Sequence, residues 1–175
     1  MRSTTILGVR RGTTVAMGGD GQVTLEKQIM KARARKVRAI YQGKILVGFA
    51  GAVADALTLS DKLEMRLEAH HGNLHRAAIE LAREWRTDRI LRRLEALLAT
   101  MDRKHTFLIS GTGEVIEPDD GLIGIGSGGG YALAAARSLL AHTELPAREI
   151  VGESLRIAAG LCVYTNENIV VEELS

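Results

Sequence analysis

Runs of apolar and β-branched residues, Thr4-Thr5-Ile6-Leu7 with Val9 and Thr13-Thr14-Val15-Ala16-Met17, read as short β-type segments over residues 4–10 and 13–19, on either side of Arg11-Gly12. A two-residue link with glycine second suits a tight turn, so the chain is expected to open with a β-hairpin. A second strand pair is predicted at 33–40 and 44–50 around Gln42-Gly43, giving four strands before any helix. From Val53 the period lengthens. Val53, Ala56, Leu57, Leu63 and Leu67 form one stripe, and Leu74, Ala78, Leu81 and Trp85 form another after Gly72-Asn73. Two antiparallel helices follow from this, the second with a pattern that extends through Leu91, Leu94 and Leu98. Strands are predicted again at 105–110 and 114–117 around Thr112-Gly113, and at 122–126. Helices are predicted over the alanine-rich 131–140 and over 147–161, where Ile150, Val151, Leu155 and Ala158 share a face. Residues 163–174 read as one closing strand or two.

Strands, two helices, strands, two helices and strand, with hairpin links where strands adjoin, predict an α+β fold with largely antiparallel sheets. Two sheets covered by two helix pairs, a four-layer αββα sandwich, would bury every stripe. The length of 175 residues fits one domain with one sizeable core. No apolar stretch reaches membrane-spanning length, and Met1-Arg2-Ser3-Thr4-Thr5 lacks the apolar core of a secretion signal, so a cytoplasmic location is expected. Cys162 stands alone, which excludes an internal disulfide and a cysteine-ligated zinc site, and it reads as core packing. A net charge of +2 and an aromatic content of 3% argue against nucleic acid as the main partner, although Lys31 to Arg38 is locally basic.

An alcohol becomes a good nucleophile at neutral pH when a base takes its proton, and an N-terminal threonine carries such a base in its own α-amine. The α-amino reference pKa of about 8 suits that task. Thr4-Thr5 stands behind a three-residue segment, 1–3, short enough to be removed as a leader before a single domain at 4–175. The same pair also reads as two β-branched residues opening a strand. A cation beside the hydroxyl would lower its pKa, and a carboxylate would keep that cation charged and oriented. If the chain is extended over 31–38, Lys36 shares a face with Ala32 and Ala34, whereas Lys31, Arg33 and Arg35 share the other. Lys36 is then the inward candidate, with a solvated basic edge strand as the alternative. Asp20, in Gly18-Gly19-Asp20-Gly21, reads as that carboxylate or as a turn residue.

Gly124-Ile125-Gly126-Ser127-Gly128-Gly129-Gly130 lies between a predicted strand and helix, where backbone N–H groups converge. It lacks the lysine of a P-loop, so the chain itself is expected to bind no ATP. Gly48-Phe49-Ala50-Gly51 offers an N–H to a tetrahedral oxyanion, or simply packs closely. His71 and His75 are separated by Gly72-Asn73 without a metalloprotease glutamate and read as surface histidines. The charged stretch Trp85-Arg86-Thr87-Asp88-Arg89 reads as a solvated helix face or a subunit contact.

In this order, Thr4-Thr5-Ile6, Gly18-Gly19-Asp20-Gly21-Gln22, Ala34-Arg35-Lys36-Val37, Gly48-Phe49-Ala50-Gly51 with Ala54-Asp55, Trp85-Arg86-Thr87-Asp88-Arg89, Ile125-Gly126-Ser127-Gly128-Gly129 and Cys162-Val163-Tyr164-Thr165-Asn166 resemble the HslV family of bacterial, proteasome-related peptidases. The resemblance runs from Thr4 to the C-terminus. It implies the N-terminal-nucleophile hydrolase fold and a threonine-type endopeptidase working in an ATP-dependent protein-degradation complex. It further implies a homododecamer of two stacked hexameric rings, served by a hexameric AAA+ ATPase unfoldase of the HslU type that feeds it unfolded protein substrates and alone uses ATP. Carried over by motif, Thr4 is the nucleophile with its amine as base, Lys36 the electrostatic partner, Asp20 the residue that orients it, Gly51 the oxyanion donor, and Ser127 a support for the amine. A sodium ion held by backbone carbonyls maps to Ala159, Cys162 and Thr165. Two departures stand out: Arg2 and Ser3 must leave with Met1, and Gly130 occupies a position where many relatives carry another residue. A small-molecule amidase of the same fold and an inactive ring subunit are the alternative readings, the second disfavoured by Thr4, Asp20 and Lys36 occurring together.

Overall fold

The computed structural model describes residues 4–174; the expected leader, Met1 to Ser3, lies outside the described residues. In chain order the strands are β1 (Thr5–Arg11), β2 (Thr14–Gly19), β3 (Val23–Leu25), β4 (Gln28–Lys31), β5 (Val37–Ile40) and β6 (Ile45–Gly51), followed by helices α1 (Val53–Ala69) and α2 (Leu74–Thr87). Then come β7 (Ala96–Met101), β8 (Thr106–Ser110), β9 (Val115–Ile116), β10 (Ile123–Gly126), helices α3 (Gly129–His142) and α4 (Ala147–Leu161), and β11 (Val170–Leu174). One sheet has the order β10-β1-β2-β11 and the other β5-β6-β7-β8-β9, all pairs antiparallel.

Period-two alternation decides which way each side chain goes. In β6, Ile45, Val47 and Phe49 face α1 and α2, whereas Leu46 faces the other sheet. In β1, Leu7 and Val9 face α3 and α4, and Ile6 points to the space between the sheets. Three apolar layers result, one under each helix pair and one between the sheets, and the expected αββα sandwich is the fold observed. Trp85 is fully buried with Leu81 and Phe107, as its place on the stripe of the second helix requires, while Arg86, Thr87 and Arg89 of the charged stretch are exposed.

Two readings of the pattern need correction. The second helix does not run through Leu98: it ends at Thr87, where the Asp88 side chain accepts the N–H groups of Ile90 and Leu91 at 2.8 and 3.0 Å. A short 3-10 turn at Leu91–Arg93 leads into β7, the central strand of the five-stranded sheet. Buried on both faces, that strand loses its alternation and mimics a helical stripe. The hairpin β3–β4 is an addition to the expected strands, whereas the region 163–174 forms one closing strand, β11, as one of the two expected outcomes.

Candidate active site

Thr4 lies buried just ahead of β1, where β1 runs between β2 and β10. The peptide unit linking Thr4 to Thr5 is planar and is held at both ends. Its carbonyl, on Thr4, accepts the Ser127 N–H at 2.8 Å, and its N–H, on Thr5, donates to Asp20 Oδ1 at 2.9 Å. The backbone therefore has little freedom to move the Thr4 side chain out of place. Gly126 makes this approach possible: its φ is 88°, and a Cβ there would sit 1.9 Å from the Thr4 carbonyl oxygen.

Asp20 follows the last residue of β2 opposite Thr5, and its own N–H donates to the Thr5 carbonyl at 3.2 Å. Its side chain curls back so that Oδ1 accepts from both Thr5 N and Lys36 Nζ, each at 2.9 Å, while Oδ2 accepts the Gln22 N–H at 3.0 Å. Lys36 Nζ also donates to the Gln22 carbonyl at 2.5 Å. The Asp20 and Lys36 side chains are 0% and 3% exposed, so this ion pair sits away from water. Burial pushes the Lys36 ammonium below the ordinary lysine range, against the opposing charge and hydrogen bond of Asp20. Lys36 and Ala34 are buried while Lys31, Arg33 and Arg35 are exposed; Ala32, assigned the inward face by strict alternation, is exposed because the chain bends there ahead of β5.

Gly51 ends β6, opposite Ala96. The Phe49 N–H donates to the Lys36 carbonyl at 3.3 Å, so Gly51 lies two residues beyond the point where β6 meets the lysine. Ser127 is exposed in the turn entering α3 and forms part of the wall of an open depression of about 750 Å3, with Thr24, Tyr131, Leu161, Cys162 and Tyr164 also lining it. Two amides of that glycine-rich turn are committed to the threonines, Ser127 N to Thr4 and Gly128 N to Thr5 Oγ1.

Ala159 is in the last turn of α4, whose terminal carbonyls lack helical partners, and Cys162 caps that helix. The Thr165 N–H turns back to the Cys162 carbonyl at 3.1 Å. A helix end followed by a tight loop offers carbonyl oxygens, which suit a hard cation. Among the described residues no group of three or more His, Cys, Asp or Glu side chains is placed to hold a metal.

Several residues of this network carried no sequence signal of their own. The Thr5 hydroxyl meets the Thr165 hydroxyl at 2.6 Å. Asn166 accepts the Gly21 N–H at 3.0 Å and donates through Nδ2 to the Ala32 carbonyl at 2.8 Å, tying the loop after α4 to the segments that carry Asp20 and Lys36. The signal available was the Cys162 to Asn166 motif taken as a whole. Position alone did not single out either polar side chain.

The family model for the proteasome subunit matches residues 1–174. The chain is similar to the ATP-dependent protease subunit HslV of Chlorobium luteolum, 59% identical over 174 residues that cover 99% of this chain and 96% of that protein. It also resembles the crystal structure of eukaryotic HslV from Trypanosoma brucei, with a TM-score of 0.93 and 47% identity over 98% of this chain and 99% of that one. Thiobacillus denitrificans BPH, solved in complex with epoxomicin, shares the fold at a TM-score of 0.74 with 16% identity, covering 98% of each chain.

Proposed function

The chain belongs to the proteasome subunit family and, as a relative of the HslV proteins, is a threonine-type protease subunit; on that premise we propose that Thr4 is its nucleophile. The observation that carries the assignment is the convergence of Thr5 N and Lys36 Nζ on one oxygen of Asp20, which ties the lysine to the peptide unit of Thr4.

In this reading the leader Met1 to Ser3 is removed and the Thr4 α-amine becomes the general base. Thr4 Oγ1 attacks the substrate carbonyl carbon, and its proton passes to that amine. The Lys36 ammonium lowers the cost of the developing alkoxide, and Asp20 keeps it charged and oriented. The Gly51 N–H stabilises the tetrahedral oxyanion. Collapse breaks the peptide C–N bond, with the proton handed to the leaving amine, and leaves an ester on Thr4. Water attacks the ester, giving a proton to the Thr4 α-amine; the acyl C–Oγ1 bond breaks, that proton passes to Oγ1, and the carboxylic acid product leaves. Ser127 supports the amine through its hydrogen bonds.

The carbonyls of Ala159, Cys162 and Thr165 would hold a sodium ion. When bound, it offsets the negative carbonyl dipoles at the end of α4 and steadies the loop that follows. The same reading gives a cytoplasmic homododecamer of two hexameric rings that takes unfolded protein from a hexameric AAA+ ATPase of the HslU type, with ATP used by that partner only. Among the described residues no helix is long and apolar enough to cross a membrane.

Thr4→Ala should reduce peptide hydrolysis to background while ring assembly, followed by sedimentation, is unchanged. Substantial residual hydrolysis by that variant would sink the assignment.

A further inference from the structure

Beside the ion pair, a second buried polar node involves no charged group. Thr5 is fully buried and Thr165 is 5% exposed. The Gly128 N–H donates to Thr5 Oγ1 at 3.1 Å, and the Thr5 and Thr165 hydroxyls meet at 2.6 Å. Thr5 Oγ1 accepts from the Gly128 N–H, and either hydroxyl can donate to the other, so the Thr5 oxygen is held from two sides. A Cβ on Gly128 would come 2.3 Å from Thr5 Oγ1 and 2.9 Å from Thr165 Oγ1, so the turn has been kept bare where the two hydroxyls meet.

Three pieces of chain join at this node. One is the start of β1, which carries Thr4; the second is the turn that carries Ser127; the third is the loop after α4, anchored through Asn166 to Gly21 and Ala32. The backbone of Thr5 already fixes one end of the Thr4 peptide unit through Asp20. Its side chain fixes that same residue against the turn whose Ser127 N–H holds the other end.

We propose that Thr5 is a positioning residue for the reaction: its hydroxyl, shared with Thr165 and Gly128, locks the strand of the nucleophile to the Ser127 turn and to the loop after α4, and so sets the attack geometry of Thr4. The inference rests on Thr4 being the nucleophile. Thr5 does not touch substrate, so its effect belongs in the turnover step. Small displacements of a reacting group carry large rate penalties even when binding is unaffected.

The test compares Thr5→Val, Thr5→Ser, Thr165→Val and the double variant Thr5→Val/Thr165→Val, assayed on a short fluorogenic peptide with the assembled peptidase and its ATPase partner. Valine keeps the branched shape and removes the hydroxyl; serine keeps the hydroxyl. Thr5→Val should lower kcat roughly tenfold to a hundredfold with KM within about twofold. Thr5→Ser should recover most of kcat, and the double variant should be little worse than Thr5→Val alone, because Thr5→Val already removes both bonds of its hydroxyl. Should Thr5→Val fail to assemble, Thr165→Val breaks the bond between the hydroxyls from the other side and, with the Gly128 N–H still on Thr5 Oγ1, should lower kcat in the same direction by a smaller factor with KM held. Unchanged kcat in a well-assembled Thr5→Val or Thr165→Val, or a loss that Thr5→Ser does not repair, overturns the proposal. Thr4→Ala run alongside separates the two claims: if it is inactive while Thr5→Val is fully active, only the role of Thr5 fails.

Discussion

At Lys36 two effects oppose each other. Removal from water disfavours the ammonium and is the larger, while the charge and hydrogen bond of Asp20 favour it. The lysine therefore gives up its proton at a lower pH than an exposed lysine does. Activity that depends on the ammonium should fall on an alkaline limb below the ordinary lysine range, measured as kcat/KM against pH. Asp20→Asn removes the opposing charge and leaves at most a weaker neutral acceptor, so the limb should move further down in pH; an upward move would contradict the assigned roles. Lys36→Ala should abolish activity, whereas Lys31→Ala, at an exposed position, should leave it nearly unchanged. Lys36 was legible because alternation around Ala34 separates an inward from an outward set. The hydroxyl pair of Thr5 and Thr165 was not, since its members stand 160 residues apart and a single side-chain contact leaves no period in the chain.

Among the elements, the start of α3 separates two glycines that look alike in sequence. A Cβ at Gly130 meets nothing within 4 Å, and the position lies in the first turn of the helix. Gly130→Ala should therefore stabilise the protein by about 0.5–1 kcal/mol, through helix propensity and a less flexible unfolded chain. Gly128→Ala should lower both Tm and activity, because its Cβ would collide with the Thr5 and Thr165 hydroxyls. Thermal unfolding of both variants checks the contrast, and equal effects would show that the crowding at Gly128 is relieved elsewhere. The helices α1, α3 and α4 were legible in their stripes and glycine breaks. The central strand β7 was hidden because Ala96 to Met101 is apolar on both faces. Hairpin β3–β4 escaped because its turn, Glu26-Lys27, uses a glutamate at φ 53° where glycine or asparagine is the usual signal.

For the molecule as a whole, the single subunit leaves large apolar side chains exposed among its described residues. Ile29 and Met30, on the hairpin β3–β4, are 63% and 61% exposed. Exposed apolar groups of this kind mark contact surfaces. In the proposed ring, Ile29→Asp should shift the sedimentation profile from the full assembly to smaller species while the subunit stays folded; an unchanged profile would remove the hairpin from the contacts. The four-layer arrangement was legible because each layer needs its own stripe, and the stripes could be counted. How subunits meet was not, since an exposed leucine or isoleucine in one chain reads as core until the fold shows it outside.

In the proposed reaction a chain beginning at Thr4 forms an ester through the oxygen of that residue. This step is tested most directly by treating the active protein with a peptide electrophile that traps the nucleophile, then measuring the intact mass and the mass of the N-terminal peptide. The expected result is a chain lacking Met1, Arg2 and Ser3, with one adduct on the peptide that starts at Thr4. An adduct on another residue, or full activity in a chain that keeps its first three residues, would contradict it.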